Sequence, residues 1–173
     1  MRTSKWWIVA SFMATSFLLS RTSSAQLQAA SGRTGFGAGA EATTTQLVGA
    51  TFVYDANVFH VDALLGAGFA PNDRMLGVAG RLFFPLHHGT AADFSIGPGL
   101  GLVNRRHDPA NGTPPNSTNE IHIEGAVQIR AFVVSNVALS ASAGLGAIFI
   151  QGNNSATIGG QLGGSLGVTY FFW

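Results

Sequence analysis

The chain has 173 residues, 23 glycines, no cysteine and a formal net charge of +1. That length suits a single domain, and the lack of cysteine excludes a disulfide framework, a thiol nucleophile and a cysteine metal site. Charged residues make up 10% of the chain and form no basic patch, so nucleic-acid binding is not expected.

Arg2 and Lys5 precede an apolar run from Trp6 to Leu19, and Ser23-Ser24-Ala25 supplies small residues after it. This pattern predicts a secretory signal peptide over 1–25, removed after Ala25. The run is shorter than the ~20 residues a spanning helix requires. Cleavage would leave six arginines against eight carboxylates, a net charge of −2, so the basic balance of the full chain belongs to the signal. A short segment at 26–33 then leads to a barrel domain at 34–173.

From there the apolar residues recur with period two, which marks strands. Eight strands are predicted, at about 34–43, 46–55, 57–69, 74–86, 91–104, 119–133, 136–150 and 157–172. Eight is the smallest usual count for a bacterial outer-membrane barrel, and each segment has roughly the ~9–11 residues of a tilted crossing. The glycines sit inside these strands, as in Gly97-Pro98-Gly99-Leu100-Gly101, and no amphipathic helix follows any of them. A nucleotide-binding glycine loop is therefore not expected. The predicted fold is all-β, an eight-stranded antiparallel up-and-down transmembrane β-barrel.

The connections suggest an orientation, because such barrels have short periplasmic turns and longer outer loops. With both ends periplasmic, the turns are Asp55-Ala56-Asn57, Pro85 to Thr90 and Ser135-Asn136. The outer loops are then Thr43 to Gln46, Pro71 to Asp73, Asn104 to Asn119 and Gln151 to Ala156.

The sixth strand best separates the two faces. Ile121, Ile123, Val127, Ile129, Ala131 and Val133 oppose His122, Glu124, Gln128, Arg130 and Phe132. A membrane barrel turns the apolar set to lipid, whereas a soluble lipocalin-like ligand-binding barrel, the alternative, would turn it inward. Phe36, Tyr54, Phe59, Phe84, Phe94, Tyr170 and Phe172 fall on the lipid-facing phase near the periplasmic end, as expected of membrane-interface aromatics.

On the inward phase, Asp62, Arg81, Asp93 and Arg130 alternate in sign across adjacent strands at similar depth. Buried charges are costly unless paired, which predicts a lumenal ion-pair network in which each arginine meets a carboxylate on both sides. His60 joins it from below, and Glu41, His122 and Glu124 lie higher. The network either fills a narrow barrel or gates a narrow channel for ions or small solutes through Arg81 or Arg130. Ser140 or Ser142 with His122 and Glu124 or Asp93 could be read as a nucleophile with its base, but inward serines are ordinary barrel filling and no enzyme activity is expected. His87-His88 and His107-Asp108 each lack a full ligand set, so no metal or other cofactor is expected.

The signal, the eight strands, the charged lumen and the ending Gly167-Val168-Thr169-Tyr170-Phe171-Phe172-Trp173, together with Val53-Tyr54-Asp55-Ala56 and Phe59-His60-Val61-Asp62, resemble the small outer-membrane β-barrel proteins of the OmpA/OmpX-like type. The similarity is strongest to glycine-rich members of that type from Gram-negative bacteria. The resemblance implies residence in the outer-membrane lipid and insertion by the barrel-assembly machinery, which reads the final strand. The aromatic in register with Tyr170 is Phe172, and Trp173 lies one residue beyond it. The function expected is a structural or surface-interaction role, with the narrow channel and the soluble ligand-binding barrel as alternatives.

Overall fold

The computed structural model describes residues 34–89, 91–108, 114–150, 153–158 and 164–173. The expected signal at 1–25, the segment 26–33 and part of the last predicted strand lie outside the described residues.

Alternating residues build nine strands: β1 (Thr34–Thr43), β2 (Val48–Ala56), β3 (His60–Ala70), β4 (Asp73–His88), β5 (Ala92–His107), β6 (Asn116–Val134), β7 (Val137–Ile150), β8 (Asn153–Ile158) and β9 (Gly164–Phe172). Consecutive strands pair antiparallel from β1 to β7, and β9 closes the cylinder by pairing with both β1 and β7. One edge of β7 pairs with β9 through Val137–Ala143 and with β8 through Ala147–Ile150. Thus β8 and β9 share one strand position, and the closed barrel has eight. Closure gives each of β1 to β7 and β9 a partner on both edges, whereas among the described residues β8 pairs with β7 alone.

Several boundaries differ from the sequence reading. The outer loop expected at 151–156 is mostly β8, and the last strand, expected as one run over 157–172, is divided between β8 and β9. The polar run Asn153-Asn154-Ser155 reads as loop, yet backbone pairing with β7 keeps it extended. Similarly, β5 and β6 continue past the expected loop boundaries, with Asn116, Ser117 and Thr118 opposite His107, Arg106 and Arg105. Hydropathy marks where the apolar wall stops, whereas a ladder continues for as long as both strands supply N–H and C=O groups. On β4 the strand runs on to His88 with a register shift between Pro85 and His87, next to a proline that has no N–H to contribute.

The outer wall is apolar, with Phe52, Leu65, Leu76, Leu100, Ile123 and Leu145 all exposed. Inside, buried apolar residues form a plug toward each end, besides a smaller pair of Leu64 and Ala79. One plug holds Leu47, Met75 and Val103 near the loop end. The other holds Val53, Phe132, Ala138 and Phe171 near the end where β1 starts and β9 finishes. Leu47 belongs to the β1–β2 connection, which folds back over the lumen: Thr43 N donates to Leu47 O at 2.8 Å, and Gln46 takes a φ of 71° to make the turn.

Closure requires close approach at the β1–β9 seam. A Cβ at Gly39 would overlap the Val168 carbonyl oxygen and crowd the Thr169 backbone, and backbone cannot yield as a flexible side chain can. Gly39→Ala is therefore expected to lose about 1–3 kcal/mol through overpacking. Urea unfolding of the refolded protein measures it, and an unchanged midpoint would show that the seam relaxes freely.

Candidate functional site

The lumen holds the buried polar chemistry, to which β1 to β7 and β9 contribute through their inward phase. Six carboxylates, Glu41, Asp55, Asp62, Asp93, Glu120 and Glu124, are buried with two arginines, Arg81 and Arg130. A charge withdrawn from water needs a partner and hydrogen bonds, so the arrangement can be followed from partner to partner.

Arg81 occupies the centre. Its Nε lies 2.7 Å from Glu124 Oε1, its terminal NH1 pairs with Glu41 Oε1, and NH1 also reaches Ser165 Oγ at 3.3 Å. Ser165 Oγ in turn bonds Ser142 Oγ at 2.7 Å. This corrects the expected pairing of Arg81 with Asp62 and Asp93. Asp62 is the direct cross-strand partner of Arg81, but the guanidinium turns the other way. Gly99 stands between Arg81 on β4 and Glu124 on β6 in one rung, and a Cβ there would collide with Glu124 and crowd Arg81. The missing side chain leaves the space through which Arg81 and Glu124 meet.

Asp62 is held by an amide instead. Gln128 Nε2 donates to Asp62 Oδ2 at 2.8 Å, and Gln128 Oε1 lies 2.7 Å from His60 Nε2. The His60 ring stacks on Phe83 with centroids 5.1 Å apart.

Arg130 forms the lower charge centre, with NH2 at 3.0 Å from Asp93 Oδ2 and NH1 at 2.7 Å from Asp55 Oδ2. Its guanidinium carbon also lies 5.8 Å from the Phe132 ring centre and 5.9 Å from that of Phe171, within cation–π range. Beneath it Trp173 stacks on Phe171 at 4.6 Å and donates Nε1 to Ser135 O at 2.7 Å. The residue that lies beyond the register of Tyr170 and Phe172 is thus on the lumenal phase and caps that mouth.

His122 Nε2 lies 2.9 Å from Glu120 Oε2, and Glu120 Oε1 accepts from Arg105 Nε at 3.0 Å. His122 and the two serines are not brought together as a nucleophile and its base, since Ser142 spends its contact on Ser165. Of the paired histidines, His88 contacts Asp93 Oδ1 at 3.2 Å and His107 contacts Asp73 Oδ1 at 3.1 Å. Among the described residues no group of three metal-ligating side chains occurs.

Asp55, Glu120, Gln128 and Ser165 were missed as partners by the sequence reading. Asp55 carried a signal, since it continues the inward phase of Thr51 and Val53, but its place beside Asn57 reads as a turn. It serves both purposes: Oδ1 accepts Asn57 N at 2.9 Å while Oδ2 faces Arg130. Outside, Phe36 packs on Tyr54 at 4.9 Å, Tyr54 on Phe59 at 6.4 Å, and Tyr170 on Phe172 at 5.2 Å. Phe84 and Phe94 are also exposed on the outer wall.

No known family model matches the sequence, and no curated protein does either. The fold is that of the small eight-stranded outer-membrane barrels. The N-terminal β-barrel domain of Pseudomonas aeruginosa OprF matches with a TM-score of 0.53 at 14% identity, over 79% of this chain and 95% of that domain. Neisserial surface protein A (NspA) matches at 0.46 with 19% identity, over 80% of this chain and 94% of that one. Acinetobacter baumannii CarO matches at 0.35 with 15% identity, over 79% and 97% respectively.

Proposed function

We propose that the protein is an integral barrel of the bacterial outer membrane with a closed, ion-paired lumen, serving a structural or surface-interaction role. The observation that carries this reading is the inverted polarity of the wall: large apolar side chains cover the outside while carboxylates and arginines are buried within. A soluble monomer rarely exposes an apolar patch of more than a few hundred Å², and a lipocalin-like barrel would need its apolar face inside. The rings from Phe36 to Phe172 would lie at the inner interface, with both ends of the barrel strand order periplasmic. The final strand would be read by the assembly machinery.

Closure is supported by the packing. Phe83, Phe171, Leu47 and Met75 are each no more than 1% exposed, so an apolar layer lies across the lumen at both ends. The arginines are held between carboxylates rather than facing an open path.

Fractionation and planar-bilayer recording test the reading. The protein is expected to require detergent for extraction and to insert without discrete openings. Openings altered by Arg81→Ala or Arg130→Ala would replace the closed role with a gated channel. Release into buffer without detergent would overturn the membrane reading.

A further inference from the structure

On the outer wall, Arg74 of β4 and Arg106 of β5 are direct cross-strand partners and share the outward phase of Leu76 and Leu102. Like charges directly opposite one another destabilise a ladder. A single carboxylate answers both: Asp108 Oδ1 lies 2.9 Å from Arg106 Nε, and its Oδ2 lies 3.8 Å from Arg74 Nε. On this outward face one positive charge remains in excess, and the two side chains are 71% and 55% exposed. Arg105, next to Arg106 on the opposite phase of β5, is engaged by Glu120 and Asp73 instead.

Immediately below the arginines the wall becomes amide and then alkyl. Asn104 Nδ2 donates to Asn119 Oδ1 at 2.7 Å. Next, a concavity of about 710 Å³ opens among Leu65, Leu76, Leu102, Ile121 and Phe149. A second hollow of about 750 Å³ follows on β5, β6 and β7, bounded by Pro98, Gly125, Ala143 and Leu145. Gly125 lies four positions along β6 from Ile121, a descent of roughly 13 Å along the strand. A Cβ at Gly125 would meet nothing within 4 Å, so the hollow is open there.

We propose that this wall docks a phosphorylated, acylated glycolipid of the outer leaflet, with its phosphate against Arg74 and Arg106 alongside Asp108 and one acyl chain along the hollow toward Gly125. The inference rests on the outer-membrane reading above. Charge complementarity selects the occupant, because an arginine fork engages phosphate oxygens in pairs and the phosphate offsets the excess positive charge. The order from cation to amide to alkyl surface matches such a lipid from headgroup to tail.

The test uses native mass spectrometry of the protein purified from membranes in detergent, titrated with lipid A, dephosphorylated lipid A and phosphatidylglycerol. Lipid A is expected to bind at least about tenfold more tightly than the dephosphorylated form. Arg74→Ala with Arg106→Ala is expected to remove that preference. Gly125→Leu, which fills open space, is expected to weaken lipid A binding while the folded protein keeps its native migration in unheated gels. Equal binding of phosphatidylglycerol, or lipid A binding unaltered in the double arginine variant, would overturn the docking site. The need for detergent, recorded before any lipid is added, separates that result from failure of the membrane reading.

Discussion

Replacing Arg81 with alanine is expected to destabilise the barrel by about 3–5 kcal/mol, the cost of leaving buried charges without a partner. The effect is large because one guanidinium serves two carboxylates. Glu41 and Glu124 both converge on it and are both buried. Without the arginine they face each other across a space that water fills poorly. The measurement is the urea midpoint of the refolded protein in micelles, followed by tryptophan fluorescence. Arg81→Met combined with Glu41→Gln and Glu124→Gln is expected to recover most of the loss, because it removes all three charges together. Arg81→Lys should fall between, since an ammonium is a point charge and cannot spread a fork over both acids. An unchanged midpoint in Arg81→Ala would mean that the carboxylates are solvated and that the lumen is wetter than its packing indicates.

Leu100→Arg is expected to cost about 2–4 kcal/mol if the barrel lies in a bilayer, the penalty for arginine at the midplane of a lipid-facing wall. Leu100 is exposed and sits midway along the outward phase of β5, between Phe94 and Arg106. Leu86→Arg is the companion variant. Leu86 is exposed beyond Phe84, at the register shift between Pro85 and His87 near the end of β4, where the cost near an interface falls to about 0–1 kcal/mol. Folding into lipid vesicles at graded urea measures both. A soluble barrel would show no depth dependence, since both positions would face water, so equal effects at 100 and 86 would sink the membrane reading. The comparison is informative because both variants add the same side chain to exposed leucines at different depths.

Much of the barrel was legible without coordinates because its physical cause is local. Successive side chains of a strand point to opposite faces, so Ile121 to Val133 on one phase and His122 to Phe132 on the other state which face is charged before any partner strand is known. The strand β1 was read at its observed limits, 34–43, because glycine and alanine alternate cleanly and a polar threonine run follows. The end of β5 and the division of the last strand were less legible. There the residues are polar, and ladder bonds rather than hydropathy keep the chain extended.

The lumen divides in the same way. Period two by itself placed Glu41, His60, Asp62, Arg81, Asp93, His122, Glu124 and Arg130 on one phase. Which of them meet depended on barrel geometry, because side chains on that phase project into a shared space where strands distant in sequence converge. Arg81 and Glu41 come together from strands 40 residues apart. Arg81 meets Glu124 because Gly99 between them has no side chain. Trp173, one residue past the expected aromatic, became a cap because the same alternation turned it toward Phe171. The sequence by itself determined the faces of the wall, since alternation is a property of each strand; only the tertiary structure decided the partners, since closing the cylinder is what sets the distances across it.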